Sequence, residues 1–272
     1  MKQNKKLLNK IIVPILVLVS VACLAYPKIA EAWNSSRVSK VVQQYSKQVE
    51  ELDEETINEE FSKAEQFNQD ISNGIENTEY DSILNTDDSE MGLMGYLSIP
   101  SIDLELPIYH STDEEAITKG VGHMKNTSLP IGGTGTHAVL SSHCGMPNHV
   151  GFTNLSKVKE GDKFTISILN KVLTYEVDQI KIVDPNDDTD IQIDSEKDYV
   201  TLLTCYPYGI NSHRLLVRGH RVENTTTEEM VVNRTWLDWI NDLSFQSKAI
   251  CITAIAIAII LAVSKIKSKK MN

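Results

Sequence analysis

TLLTCYPYGINSHRLLVRGHR, residues 201–221, holds two apolar and β-branched runs joined by a turn. In the first run Tyr199, Thr201, Leu203 and Cys205 alternate with Val200, Leu202 and Thr204, the period of a half-buried strand. Cys205 closes that run beside Pro207 and Gly209, and Arg214 opens the second run nine residues later. A thiol at a strand end with a guanidinium beside it suits a thiolate nucleophile acting on an amide. Positive charge favours the thiolate, and donors aimed at a developing oxyanion lower the acyl-transfer barrier. A plainer reading also stands, because free cysteine packs like a small hydrophobe and is often merely structural. Arg214 and Arg218 share a strand face. Arg214 would orient a carbonyl or stabilise an oxyanion, unless it serves as a surface ion pair.

The missing partner is a base, and seven histidines compete for that role: His110, His123, His137, His143, His149, His213 and His220. For any one of them a hydrogen-bonded structural place is the simpler account. His143 stands out because it ends the run HAVLSS and precedes the turn Cys144-Gly145-Met146-Pro147, which would expose it. Its unperturbed pKa of about 6.5 suits proton transfer near neutrality.

Around these residues the texture is that of strands. MGYLSI, LPIY, THAVLSS, KFTISIL, KVLTYEVDQIKIV, DYVTLLTC and RLLVRGHR are separated by Pro130, Gly132-Gly133 and Pro185-Asn186, the punctuation of short strands. Lys171–Val183 alternates only in part. Helical pieces fit near Asp113–Thr118 and Phe152–Val158. Residues 91–222 are read as a mostly antiparallel β domain of about 130 residues, enough for its own core. Upstream, Val38, Val41, Val42, Tyr45, Val49 and Leu52 recur at helical spacing. One helical stretch is expected from residue 33 to about Gln69, and an irregular linker over 71–90.

Two apolar segments flank this region. Ile11–Tyr26 follows Lys2, Lys5, Lys6 and Lys10, and Ala249–Val263 precedes Lys265, Lys267, Lys269 and Lys270. Each falls short of the roughly 20 residues that span a bilayer comfortably, but flanking lysines can snorkel. Lysines outside both segments place both termini in the cytoplasm and the middle outside the membrane. The first segment also fits a cleavable signal peptide ending near Ala30-Glu31-Ala32. A buried core helix is the alternative for the second; Trp236 and Trp239 before it favour a membrane interface. The domain reading is therefore 1–32 basic start and signal peptide or anchor, 33–90 helical region and candidate lid linker, 91–222 catalytic barrel, 223–248 tether, and 249–272 membrane segment with basic tail. The net charge of −11 includes the acidic run Glu50–Glu60 and argues against a nucleic-acid partner. Only Cys144 and Cys205 lie between the apolar segments, so no disulfide framework is expected.

GVGHMKNTSLPIGGTGTHAVLSSHCGMPNHVGFTNL and KDYVTLLTCYPYGINSHRLLVRGHRV resemble the sortases, most of all class C, the pilus-assembling sortases of Gram-positive bacteria. TLLTC fits the TLxTC signature, and the arginine follows the cysteine at the class C spacing. The resemblance implies a closed eight-stranded β-barrel preceded by N-terminal helices. It also implies Cys205 as acyl-thioester nucleophile, His143 as proton donor and acceptor, and Arg214 as transition-state stabiliser. The implied reaction cleaves an LPxTG-like sorting signal at its Thr–Gly bond and joins the acyl group to a lysine amine of another pilin. No metal or organic cofactor is implied. The implied partners are pilins or surface proteins bearing the signal, and the membrane.

Two features depart from that pattern. Residues 71–90 lack the Asp-Pro-aromatic lid common in class C, so the site is lidless or Asn73–Tyr80 covers it by other contacts. Cys144 directly follows His143, and a reversible Cys144–Cys205 disulfide would silence the enzyme, although alternation aims Cys144 away from the His143 face. The competing functions are a housekeeping sortase acting on a peptidoglycan amine, a non-catalytic pilin-docking subunit, and an exported redox protein. The last lacks a CxxC motif.

Overall fold

The computed structural model describes residues 40–75, 80–85, 91–145 and 151–224. Eight strands run from Leu93 to Val222: β1 Leu93–Ile99, β2 Leu104–Tyr109, β3 Val121–His123, β4 Thr136–Ser141, β5 Lys163–Ile168, β6 Lys171–Val183, β7 Asp198–Tyr206 and β8 His213–Val222. They close in the order β1-β2-β3-β4-β7-β8-β6-β5, with Tyr96 opposite Ser167 sealing the ends. Closure leaves no unpaired sheet edge.

Seven strands coincide with the runs read from sequence. β3 was not among them, because three residues are too few to show alternation. Two neighbours, β2–β3 and β4–β7, are parallel rather than antiparallel. The β4–β7 pair can form because β5 and β6 intervene in the chain and supply the crossover that a parallel pair requires. β6 alternates imperfectly because its register with β8 shifts between Val177 and Gln179. Leu173, Tyr175 and Val177 face the core before the shift and Ile180 packs against it afterwards, as a one-residue bulge dictates. Gly219 of β8 lets two strands meet closely, since a Cβ there would lie 2.6 Å from the Phe164 ring.

Among the described residues the N-terminal region holds two helices, in keeping with the helices that the resemblance implies and not with one unbroken stretch of helical spacing. Residues 40–50 form α1, and α2 spans Glu54–Ser72. The break falls at Asp53, whose carboxylate accepts the Thr56 N–H at 2.7 Å. A short acidic side chain that can bond the backbone starts a helix better than it continues one. Glu54 and Glu55 then sit in the first turn, where the helix dipole favours them. α1 is pinned by Tyr45, whose buried hydroxyl donates to Met94 O at 2.8 Å and accepts the Leu169 N–H at 2.7 Å. α2 buries Ile57, Phe61, Ala64 and Phe67 along one stripe. Beside that stripe Asn68 clamps Leu129, donating to its carbonyl at 3.1 Å and accepting its N–H at 2.6 Å.

The linker reading of 71–90 also needs correction. Tyr80, Ile83 and Leu84 are buried in the main core. The Leu84 N–H donates to Glu60 at 2.7 Å, the Tyr80 hydroxyl donates to the His110 carbonyl, and His110 Nε2 meets the Ile83 carbonyl. Polar composition disguised a strap tied down by three buried apolar side chains.

Among the described residues no helix is long and apolar enough to cross a membrane. The apolar segments Ile11–Tyr26 and Ala249–Val263 lie outside the described residues.

Candidate active site

β4, β7 and β8 are neighbours in the barrel, and their register builds the site. Ser141 of β4 lies opposite Leu203 of β7, which lies opposite Leu216 of β8. One step of the same face further on, Cys205 lies opposite Arg214. On the β4 side that step is His143. The alignment persists past the last strand pair, because Ser142 N–H donates to Leu203 O at 3.3 Å and Thr204 Oγ1 donates to Ser142 O at 2.7 Å. Residues opposite one another in a sheet share a face. His143, Cys205 and Arg214 therefore form one row across three strands, on the face opposite the buried Ala138, Leu140, Val200 and Leu202.

Each member of the row is held differently. The His143 carbonyl accepts the Phe152 N–H at 2.8 Å, and Gly151 permits this approach, since a Cβ there would lie 2.6 Å from that oxygen. His143 Nε2 faces Glu114 Oε1 at 3.4 Å. That is ion-pair range but not an aligned hydrogen bond, and Nε2 is otherwise buried without a partner among the described residues. Cys205 is a half-buried free thiol. Arg214 Nη1 donates to carbonyls of its own turn, to His213 at 3.1 Å and to Asn211 at 3.4 Å.

The ion-pair reading offered for the arginines belongs to Arg218. Its Nε and Nη2 grip both oxygens of Asp178 at 3.0 and 2.9 Å, and its guanidinium stacks over Tyr199. The other histidines sort as clearly. His123 is wholly buried, and burial pushes its pKa down to about 4. His137 is lowered by burial as well and is held by the Gln192 carbonyl and Thr201 Oγ1 at 2.9 and 2.7 Å. His110 belongs to the strap, His213 contacts Ser212 on the surface, and His220 lies level with Tyr199. His149 lies outside the described residues.

Cys144 follows His143 in the turn beyond β4. That turn brings it within electrostatic reach of Cys205, and its thiol is pushed up by burial first and by Cys205 second. Both cysteines are free. Burial and the neighbouring thiol both disfavour the thiolate form of Cys144, the form needed for attack on an oxidised Cys205. The same turn touches the β7–β8 turn, where a Cβ on Gly145 would lie 2.7 Å from the Tyr208 ring.

The lid candidate Asn73–Tyr80 is described only at its ends. Asn73 lines a cleft with Gly132–Thr136, at the end of β4 opposite to His143, and Tyr80 is anchored at His110. Neither anchor involves His143, Cys205 or Arg214; residues 76–79 lie outside the described residues. The β6–β7 connection instead lies over the same sheet further from the row, with Gln192 on His137 and Asp190 on Gln179, level with Tyr199 and Arg218. Glu114 escaped the sequence reading, because an acidic residue in a helix's first turn looks like an ordinary dipole partner.

A family model described as sortase domain matches residues 97–222. Sortase D of Bacillus subtilis (strain 168) is 35% identical over 131 residues, which is 47% of this chain and 63% of that protein. The chain thus spans less than two thirds of that relative's length. Sortase C1 of Streptococcus agalactiae is 42% identical with a TM-score of 0.64, covering 68% of this chain and 100% of the solved one. Sortase C of Streptococcus pneumoniae, whose structure is described as bearing on catalysis and pilin substrate specificity, is 39% identical with a TM-score of 0.63, covering 69% and 98%. With its strand order, its TLLTC strand end and this similarity across the whole of solved sortase chains, the chain belongs to the sortase family.

Proposed function

We propose that this protein is a membrane-tethered cysteine transpeptidase that polymerises pilins. The single observation carrying the reading is the His143–Cys205–Arg214 row. Cys205 Sγ attacks the threonine carbonyl of an LPxTG-like signal. Arg214, unengaged by carboxylates among the described residues, offers its guanidinium to the oxyanion. His143 gives a proton to the departing glycine amine, leaving a thioester on Cys205. A lysine amine of the next pilin then attacks, His143 takes its proton, and an isopeptide bond forms. Splitting one amide exchange into two acyl transfers is what a thiolate does well.

The similarity of about 40% to sortase C structures supports the pilus reading over a housekeeping role. The flanking apolar segments, with lysines on their outer sides, support a cell-membrane location with the barrel on the extracellular face and both termini cytoplasmic if the first segment is retained. The experiment is a competition: the full chain in detergent receives an LPxTG-type peptide with a lysine-bearing pilin fragment and a peptidoglycan-type amine. Transfer to the lysine outpacing hydrolysis and the peptidoglycan amine is expected. Use of the peptidoglycan amine alone would make it a housekeeping sortase, and no adduct at all a docking subunit.

A further inference from the structure

The mechanism above needs only one ring nitrogen of His143, and the surroundings of Nε2 bear on which one. Nε2 is shielded from water, and Glu114 Oε1 at 3.4 Å is the group it faces among the described residues. A carboxylate only accepts hydrogen bonds, so the nitrogen opposite it must carry a hydrogen. A buried ring nitrogen left without any partner is costly, which leaves the Glu114 carboxylate as the group that can satisfy it.

The chain fixes the helix that carries Glu114, while the side chain itself is largely exposed. It stands in the first turn of α3, Glu114–Lys119. Just beyond that helix the Gly120 carbonyl accepts Ser142 Oγ at 2.7 Å. The helix bearing the carboxylate and the residue preceding the histidine are thereby fastened together. The neighbouring Glu115 is taken by Lys119 at 2.7 Å, one helical turn on. Among the described residues Glu114 has no such lysine.

We infer that Glu114 is a positioning residue for His143. Its carboxylate holds Nε2–H, fixes the ring's tautomer and orientation, and commits Nδ1 to proton transfer with Cys205 and the leaving amine. Nucleophile, base and orienting group then form a linear relay, Cys205–His143–Glu114, with Arg214 acting on the oxyanion from the far side of the cysteine. The separation of 3.4 Å is that of a resting site; catalytic hydrogen bonds are commonly long before substrate closes over them. The inference rests on His143 being the acid/base of the proposed transpeptidase.

The test uses the full chain in detergent with Glu114→Ala, Glu114→Asp and, as a control, Glu115→Ala. Glu114→Ala is expected to lower kcat for peptide cleavage about 10- to 100-fold, a part of what positioned general acid–base transfer contributes, with KM within twofold. Glu114→Asp is expected to recover part of that loss, and Glu115→Ala to behave as wild type. In 15N-histidine spectra of neutral His143, wild type should show the Nε2–H tautomer alone and Glu114→Ala a mixture. An unchanged tautomer, or a kcat within twofold of wild type, overturns the inference. If wild type forms no acyl-enzyme, the catalytic reading of the row fails, and the tautomer spectra alone still decide whether Glu114 holds His143.

Discussion

Arg214 and Arg218 lie on one face of β8, and their partners separate their roles. Arg218 forks onto Asp178 and stacks on Tyr199, whereas Arg214 meets, among the described residues, carbonyls of its own turn. A lysine keeps the charge but not the planar fork. Arg214→Lys is therefore expected to reduce kcat about 100-fold, the scale of one lost oxyanion donor, with thermal stability unchanged. Arg218→Ala is expected to do the opposite, costing about 1–3 kcal/mol by leaving Asp178 unpaired. Peptide turnover and denaturant midpoints on the two variants separate these outcomes. The Cys205–Arg214 pair was legible from sequence because alternation and one turn fix which side chains meet across a hairpin. His143 was legible only as the best of seven histidines, since its place in the row with Cys205 depends on a parallel pairing between distant strands. Glu114 was not legible at all, because nothing local marks a carboxylate whose partner comes from another strand's end.

The N-terminal helices reach the barrel through single buried polar side chains as well as apolar stripes. Asn68 of α2 satisfies both backbone groups of Leu129. Asn68→Ala would leave the buried Leu129 N–H without its partner, while the Leu129 carbonyl keeps the Ile131 N–H at 2.8 Å, a loss of about 1–3 kcal/mol. Urea unfolding followed by tryptophan-independent circular dichroism should show that drop, and a loss below 0.5 kcal/mol, the order of a plain surface change, would mean water replaces the clamp. Sequence periodicity found these helices but missed the break at Asp53, where a capping side chain overrides continuing helical spacing. It also missed the strap around Tyr80. Strap burial comes from contacts with α2 and with His110 and His123, which no local window contains.

At the scale of the whole molecule, barrel closure seals His123 between the strap and the β3–β4 connection. Tyr80 lies 2.7 Å from its Nδ1, and the Ser128 carbonyl 2.8 Å and Thr127 Oγ1 3.2 Å from its Nε2. Its pKa is lowered to about 4, chiefly by burial, with the Ser128 carbonyl opposing and His110 adding to the fall. The unfolded chain binds this proton near pH 6.5, and the folded chain refuses it until about pH 4. The sign follows: His123 contributes fully above about pH 6.5, and its contribution is lost as pH falls toward 4, by about 3 kcal/mol at most. His123→Gln should flatten the fall in urea midpoint between pH 7 and pH 5 relative to wild type; parallel slopes would place the acid sensitivity elsewhere. The strands themselves were legible as short alternating runs, and their closure into an eight-stranded barrel followed from the family resemblance. Its parallel seams and its third strand were not, because strand order depends on which edges remain unpaired after the longer strands have closed.

The most direct measurement is intact-mass spectrometry of the full chain with an LPxTG-type peptide, wild type beside Cys205→Ala. The account predicts a covalent adduct of the peptide's acyl fragment on the wild type, released by hydroxylamine and absent from the variant. An adduct that persists in Cys205→Ala would contradict it, as would a wild type that acquires none across a panel of sorting-signal peptides.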